Sequence, residues 1–228
     1  MTTDSTASLS LFDNPATRCP VALLLDTSSS MVGRPIEALN DGFVSFIREV
    51  MADECARFAV ELAVVTFGGG ATIAQPFTPM AGADLDRSRL PVFTASGDTP
   101  MGAALTAALA MLEERKRFYR DHGIPYYQPW MVLLTDGAPT DEVAEASRTV
   151  HRLCADRKLV FFGVGVGDGA NMDRLGAICP PNRPPRRLQG LRFAEFFQWL
   201  SRSMASVSRS AGPDARVALP PADGWAAI

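Results

Sequence analysis

Four apolar runs bounded by turn-forming residues predict buried strands at 21–26, 58–67, 130–136 and 159–166. Each run is apolar at nearly every position, which is typical of parallel strands covered by helices on both faces. A shorter segment at 71–77 follows the second run after only three glycines, a connection too short for a crossover. That segment is therefore predicted to be an antiparallel edge strand.

Amphipathic segments separate the other strands and predict helices. Apolar residues recur mostly at spacings of three and four after Pro35 and again after Pro100, and proline favours the first turn of a helix. Thr140 is predicted to cap a third helix, with Asp141 and Glu142 in its first turn. The predicted helices span 35–50, 100–123, 140–157 and 194–210. Strands that alternate with helices indicate an α/β fold, a three-layer doubly wound sheet that is mostly parallel.

Length and composition fit one domain with an arm at each end. The chain has 228 residues, of which 47% are hydrophobic and 21% are charged, as in globular proteins. Residues 1–18 are rich in Ser, Thr, Asp and Asn, and residues 213–228 are rich in Pro and Ala, so the domain is expected at 19–212. Trp225 lies in the C-terminal arm, and we favour its docking onto the domain over disorder.

Charge and hydropathy restrict the partners. A formal net charge of -3 gives no electrostatic indication of binding to nucleic acid or to an anionic membrane, so neither is expected as a partner. The sequence lacks both a secretory signal pattern and the apolar run of roughly 20 residues that a membrane helix needs. We therefore expect a cytoplasmic protein. The cysteines form no CxxC pair and are expected to be buried reduced thiols; they are Cys19, Cys55, Cys154 and Cys179.

Polar residues follow two of the predicted buried strands and precede one helix. Asp26, Ser28 and Ser30 begin where the first strand ends, Thr99 stands directly before a helix, and Asp136 is the last residue of another predicted strand. The carboxyl ends of such strands form the edge of the sheet where ligands bind. Carboxylates and hydroxyls without His or Cys suit a hard cation, Mg²⁺ or Mn²⁺, with water and an external acidic group completing an octahedral shell.

Three segments carry a family resemblance: DTSSS at 26–30, GDTP at 97–100 and LLTDG at 133–137. They resemble the three parts of the metal-ion-dependent adhesion site of von Willebrand factor A (VWA) domains. The surroundings LLLDTSSSMVGRPIEALNDG, TPMGAAL and LLTDGAPTD resemble the bacterial TerY-like or YegL-like branch, which is found with tellurite and stress resistance. The resemblance covers roughly residues 18–212.

The resemblance implies a Rossmann-like, six-stranded sheet with one antiparallel edge strand and a Mg²⁺ site, for which Mn²⁺ and Ca²⁺ are alternatives. It implies binding to an Asp or Glu of a partner protein and no enzymatic turnover. Such bacterial domains are often associated with a kinase and a phosphatase, so a signalling scaffold is the expected role. The matched ligands are Asp26, Ser28, Ser30, Thr99 and Asp136. Asp98 departs from the family, which commonly has a small or apolar residue before the Thr.

Other interpretations of these residues compete with the metal site. Taken alone, Ser and Thr after a strand are more often helix caps. Asp26 is also placed like the nucleophile of a haloacid-dehalogenase-type phosphoester hydrolase, but that chemistry needs a second acid where the chain has Ser28. His122 and His151 lie away from the predicted strand ends, so neither is a candidate general base. A structural subunit that uses the metal only for local stability is a further alternative.

The glycine-rich stretch GVGVGDGA at 163–170 contains a G-x-G-x-x-A pattern, a weak match to a dinucleotide fingerprint. It lies late in the predicted sheet. About twenty residues later the chain has Arg186, Arg187 and Gln189 instead of the acid that would bind a ribose. Close packing of a strand against a helix is the better interpretation.

Overall fold

The computed structural model describes residues 14–81, 90–213 and 215–226. In this part of the chain, the strands are β1 (Cys19–Asp26), β2 (Val60–Phe67), β3 (Ala71–Pro79), β4 (Trp130–Thr135), β5 (Val160–Val166) and β6 (Arg186–Leu188). The helices are α1 (Arg34–Ala52), α2 (Ala56–Ala59), α3 (Met101–Asp121), α4 (Ala144–Ala155), α5 (Met172–Ile178) and α6 (Phe193–Ser208). A short 3-10 turn, Ser29–Met31, follows β1.

The strands form one six-stranded sheet in the order β3-β2-β1-β4-β5-β6, in which only β3 is antiparallel to its neighbour. Helices cover both faces, as the apolar runs predict. All eight residues of β1 are buried, and their side chains alternate between the two faces. Leu23 packs among residues of α1 and α6, and Leu24 packs among residues of α3, α4 and α5. The predicted α/β fold is confirmed.

The strand order reverses between β1 and β4, which lie side by side although two other strands separate them in the sequence. Leu25 of β1 pairs with Leu134 of β4, so the loops that follow these strands start at the same edge of the sheet. In doubly wound sheets, ligands bind at this reversal point. The fold thereby brings Asp26 and Asp136 together.

The predicted helix start at Thr140 is wrong, because α4 begins at Ala144. Thr140 instead accepts a hydrogen bond from the Thr99 amide (3.2 Å), and the Asp141 carboxylate accepts from the amides of Gly102 and Ala103 (both 2.8 Å). Those two amides lie in the first turn of α3, which has no side-chain cap from its own N-terminal residue. The loop after β4 therefore supplies hydrogen-bond acceptors for the free backbone amides at the start of a different helix, α3.

Two glycines of the stretch at 163–170, Gly163 and Gly165, pack closely against α5 and the cysteine that follows it. A Cβ on Gly163 would lie closer than 3.0 Å to the Cys179 sulfur, and a Cβ on Gly165 would lie equally close to the Met172 sulfur. Such contacts leave room only for hydrogen at both positions. The packing interpretation of these glycines therefore agrees with the structure.

A buried cluster of charges lies where β2 faces α3. Glu61, fully buried, accepts hydrogen bonds at Oε2 from Arg115 Nε and from the Tyr119 hydroxyl, both at 2.6 Å. On its other side, Arg18 Nε lies 3.3 Å from Glu61 Oε1. One carboxylate thus faces two guanidinium groups in a region from which water is excluded.

The segment after α6 returns to the domain. Trp225 is 2% exposed, and its ring centroid lies 5.0 Å from that of Phe196 and 5.3 Å from that of Trp199. A short antiparallel bridge pairs Ala226 with Leu188 of β6. The chain beyond the last helix therefore contributes to the core and covers part of the β6 edge.

The opposite edge of the sheet, β3, is largely exposed. Pro76 and Pro79 interrupt its row of amide donors, and its pairing with β2 shifts register on either side of Val64. None of the helices in the described residues is long and apolar enough to cross a membrane.

The four thiols are free, and the expectation that all are buried holds only in part. Burial raises the pKa of Cys19 and of Cys179 to about 12. Cys154 is half-buried and Cys55 is exposed, because Cys55 directly precedes the short helix α2 at the surface.

Candidate metal centre

Asp26 is the last residue of β1, and two donors fix its buried carboxylate. Oδ1 accepts a hydrogen bond from the Ser28 amide at 2.9 Å. Oδ2 accepts one from the Thr135 hydroxyl at 2.5 Å. The first bond is a tight turn within the loop after β1, and the second bond ties that loop to the end of β4. The carboxylate therefore has one defined orientation.

Three further side chains continue this row of oxygens. Ser28 Oγ lies 3.0 Å from Ser30 Oγ, and the Ser30 hydroxyl donates to Asp136 Oδ1 at 2.7 Å. Ser28 is buried, Asp136 is half-buried, and Ser30 is exposed. The sequence predicts Asp136 as the last residue of its strand, but in the structure β4 ends at Thr135 and Asp136 is the next residue. The row of oxygens runs from the sheet edge to the surface.

Thr99 comes from the loop before α3 and is buried beside the same row. Its Oγ1 lies 3.5 Å from the position that a Cβ on Gly137 would take, so the hydroxyl faces the residue after Asp136. The Thr99 carbonyl accepts hydrogen bonds from the amides of Met101 (2.8 Å) and Thr140 (3.0 Å). The structure thus places all five sequence-predicted ligands at one end of the sheet.

Backbone hydrogen bonds join two of the loops that carry these side chains, the loop after β1 and the loop before α3, and they also include the loop after β2. They run from Ser96 N to Thr27 O (2.8 Å), from Ser29 N to Gly97 O (2.9 Å) and from Gly69 N to Asp98 O (3.1 Å). The loop before α3 therefore bonds both to the loop after β1 and to the loop after β2. Such pairing fixes the relative positions of the hydroxyl groups before any ligand arrives.

Two glycines permit this close approach of the loops. A Cβ on Gly68 would lie closer than 3.0 Å to the carbonyl oxygens of both Thr27 and Ser96. Gly97 has a φ of +72°, and a Cβ there would collide with the backbone of Gly69. Both glycines are required by space, and Gly97 is also required by its left-handed backbone conformation.

The electrostatics of the site favour a cation. Burial raises the pKa of Asp136 above its ordinary value, and the negative charge of Asp26 adds to this effect, whereas the hydrogen bond from Ser30 offsets part of it. Among the residues that the structure describes, neither carboxylate has an ion pair. A bound cation would supply the missing positive charge.

The donor set and its spacing fit a hard divalent ion. Two carboxylates and three hydroxyls provide only oxygen ligands, which suits Mg²⁺, Mn²⁺ or Ca²⁺. In an octahedral shell with metal–oxygen distances of about 2.1 Å, adjacent oxygens lie about 3.0 Å apart, close to the observed Ser28–Ser30 spacing of 3.0 Å. In the described parts of the chain, no group of three His, Cys, Asp or Glu side chains could hold a metal, so a metal site here needs the hydroxyls.

Sequence reasoning assigned no role to Thr135, although the residue lies within the LLTDG segment. The one feature of the sequence that could have indicated a role for Thr135 is its hydroxyl at the end of an otherwise apolar strand. Replacing this residue in Thr135→Val keeps the shape of the side chain but removes its hydrogen bond to Asp26. We expect metal affinity to fall by about tenfold, since groups that orient a ligand contribute about that much.

Titration calorimetry with Mn²⁺ measures this effect, and the melting temperature without metal shows whether the fold is intact. Thr106→Val is the matched control, because in the described structure the Thr106 hydroxyl bonds to the Gly102 carbonyl within α3, away from the row of oxygens. Equal Mn²⁺ affinity in both variants would show that Thr135 does not position Asp26.

Comparison with known proteins identifies the family of this chain. The sequence matches the family model of the von Willebrand factor type A domain over residues 21–194. No curated protein sequence matches the chain significantly. Solved structures supply further matches, and all of those described below are at most 20% identical to this chain, so they support the fold alone.

Three solved structures illustrate the similarity. A von Willebrand factor type A protein from Catenulispora acidiphila is 18% identical with a TM-score of 0.60, and the match covers 83% of this chain and 43% of that one. Proximal thread matrix protein 1 from the mussel byssus, with a zinc-occupied MIDAS motif, is 19% identical with a TM-score of 0.54, covering 86% and 46%. The manganese-loaded TRAP protein of Plasmodium vivax is 20% identical with a TM-score of 0.53, covering 81% and 73%.

This chain spans about half the length of the mussel structures that it matches. The family model, in contrast, matches most of the chain and includes all five residues of the candidate metal centre. The chain belongs to the von Willebrand factor type A domain family.

Proposed function

We propose that this domain is a divalent-cation-dependent module for protein–protein interaction. The observation that carries the proposal is the row of oxygens at the end of β1 and β4, in which neighbouring side chains approach within 2.7–3.0 Å. Four side chains would hold the cation directly, with Asp136 acting directly or through water; the four are Asp26, Ser28, Ser30 and Thr99. Mg²⁺ is the proposed ion, with Mn²⁺ and Ca²⁺ as alternatives.

The location of the site supports binding of an external ligand. The protein oxygens approach from the sheet, whereas Ser30 is exposed and opens the site to solvent. Val32, two residues further, is 61% exposed and gives the rim an apolar contact. An Asp or Glu of a partner protein would complete the shell of the cation. VWA domains generally serve as adhesion or interaction modules, which agrees with this assignment.

Asp98 adds a carboxylate next to the site. The residue is exposed, and its carbonyl oxygen is held by the Gly69 amide. Its negative charge would strengthen attraction for the cation and weaken attraction for an acidic partner. We therefore propose that the partner offers basic residues beside its acidic ligand, which would compensate for Asp98.

The sequence around the three motifs supports a narrower version of the proposal. Its resemblance to the TerY-like or YegL-like branch suggests a scaffold in a bacterial stress-response or tellurite-resistance system. A kinase or phosphatase of the cytoplasm would then be the partner.

A metal-dependent phosphoester hydrolase is the alternative function. Two residues beyond Asp26 stands Ser28, which supplies no second acid. His122 bonds to the Phe118 carbonyl at the end of α3, and His151 bonds to the Ile178 carbonyl, so neither histidine joins the row of oxygens. These placements favour binding over hydrolysis.

Capture from the native lysate tests the proposal. We expect the wild-type domain to recover a partner in Mg²⁺, and we expect recovery to be lost with chelator or in Asp26→Ala, because the cation would lose its most central carboxylate. Asp173→Ala removes an exposed carboxylate from the start of α5 and is the matched control, which should recover the partner normally.

Three other outcomes would contradict the proposal. Equal recovery with metal, with chelator and in Asp26→Ala would show that the cation has no part in binding. Metal-dependent hydrolysis of p-nitrophenyl phosphate that is lost in Asp26→Ala would favour the hydrolase. A lower melting temperature of Asp26→Ala with unchanged recovery would assign the metal a purely structural role.

A further inference from the structure

A cavity lies at the end of the sheet opposite the metal centre, where the parallel strands begin. It encloses about 800 Å³ between the amino ends of β4 and β5, the second half of α3, the turn after α4 and the segment that follows α6. We call it the basic groove, because six of its lining residues are cationic: Lys116, Arg120, Arg157, Lys158, Arg183 and Arg216. The proposed metal site does not use any of them.

The positive charge of the basic groove is only partly compensated. Lys116 and Arg120 share one acid, Glu113, at 2.6 and 3.1 Å. Lys158 pairs with Asp156 at 3.6 Å. No acidic residue is among the described residues that line the groove, and Asp214 lies outside the described part of the chain. Among the described residues, the six cations of the groove therefore pair with two acids, Glu113 and Asp156.

The remaining three cations of the groove are all arginines. Within the described residues, the side chains of Arg157, Arg183 and Arg216 form no ion pair. A guanidinium group presents a planar fork of donors that binds phosphate or carboxylate through two parallel hydrogen bonds. Three guanidinium groups that have no ion pair in the described part of the chain therefore line one cavity, which suits an anion that carries several charges.

Arg183 gives the strongest indication of a missing ligand. Its guanidinium carbon lies 4.5 Å from the centroid of the Phe162 ring, so one face of the group is packed against the protein. Burial lowers the pKa of Arg183, which reflects the cost of removing its charge from water. An anion in the basic groove would offset that cost.

The size of the groove and its density of charge narrow the class of ligand. Clefts of roughly 300–1,000 Å³ hold small molecules, and 800 Å³ lies within that range. A peptide carries at most one carboxylate per residue, whereas a diphosphate concentrates its charge on two adjacent groups. The clustered guanidinium groups therefore match a diphosphate better than a peptide.

We propose that the basic groove binds a small molecule that carries a diphosphate or triphosphate group, with Arg183 and Arg216 as its principal contacts. The groove is independent of the metal centre, because β4 separates them by five residues, roughly 17 Å along the strand. Loss of metal binding in Asp26→Ala would therefore leave the groove intact.

Titration calorimetry of the full chain with inorganic pyrophosphate, and then with ADP, tests the proposal. Chelator is present throughout, so that no metal–phosphate complex binds at the metal centre, and low salt limits screening. We expect saturable binding of both probes. The double variant Arg183→Met/Arg216→Met should bind at least about tenfold more weakly, since it removes charge-assisted hydrogen bonds, which are stronger than neutral ones.

The matched control is Arg48→Met/Arg202→Met, which removes two exposed arginines of α1 and α6 outside the groove and should leave binding unchanged. The single variant Arg216→Met alters an exposed residue and remains informative if loss of Arg183 disturbs folding. Absence of pyrophosphate and ADP binding, or equal weakening in both double variants, would overturn the proposal. So would binding of a hexaglutamate peptide through these arginines without binding of pyrophosphate.

Discussion

Replacement of one buried carboxylate in Glu61→Ala is expected to destabilise the domain by about 3–5 kcal/mol, the usual cost of removing one partner from a buried ion pair. The fully buried Glu61 side chain faces Arg18 at 3.3 Å and accepts hydrogen bonds from Arg115 and Tyr119 at 2.6 Å. Without the carboxylate, two guanidinium groups of like charge would remain together in a region with little water. The urea midpoint at pH 7 measures the loss.

Glu113→Ala is the matched control for this prediction, because it also removes an acid that pairs with two cations. Glu113 lies on the surface of α3 beside Lys116 and Arg120, and its side chain is more than half exposed. Exposed pairs contribute about 0–1 kcal/mol, since water screens them. Equal destabilisation of the two variants would show that burial of the Glu61 cluster has no special role.

The second large effect is expected at the glycine that lets the loops of the metal centre meet. Gly68→Ala places a Cβ closer than 3.0 Å to the carbonyl oxygens of Thr27 and Ser96, both of them backbone atoms that cannot rotate away. The hydrogen bond between Ser96 N and Thr27 O would break, and the loop that carries Ser28 would shift. We expect Mn²⁺ affinity to fall by more than about tenfold, with a stability cost of about 1–3 kcal/mol.

Gly70→Ala controls for the loss of a glycine in the same loop. A Cβ on Gly70 meets no atom within 4 Å, and Gly70 is not in the left-handed region. This variant should bind Mn²⁺ like the wild type and keep the rise in melting temperature that a ligand of the folded state produces. Wild-type Mn²⁺ affinity in Gly68→Ala would show that the contact between loops is not needed for the site.

The sequence was sufficient to predict the sheet because its central strands are apolar at consecutive positions. The alternation of these strands with amphipathic segments also predicted which strand ends share an edge. That edge contains Asp26, Ser28 and Asp136, whose spacing follows from the pairing of β1 with β4. The identity of the ion and of the partner stays a proposal, since neither is determined by backbone topology.

The features that escaped prediction depend on contacts between residues that are distant in sequence. Asp141 was placed in the first turn of α4 because acids favour helix N-termini, yet it bonds to the start of α3, 38 and 39 residues earlier in the chain. Gly68 carries no local pattern that distinguishes it from Gly70. The strand β6 has only three residues, and two of them are arginines, so hydropathy gave no sign of it.

The two edges of the sheet differ from an open edge strand in how they could pair with another chain. A free edge strand offers unpaired amides and carbonyls that can recruit another chain and begin aggregation. At one end, the bridge from Ala226 to Leu188 occupies part of the β6 edge. At the other end, Pro76, Pro79 and the shifted register make β3 a poor template for a further strand. Both edges of the sheet are thus poorly suited to pairing with a strand of another chain, whereas the loops at the carboxyl ends of β1 and β4 leave Ser30 exposed.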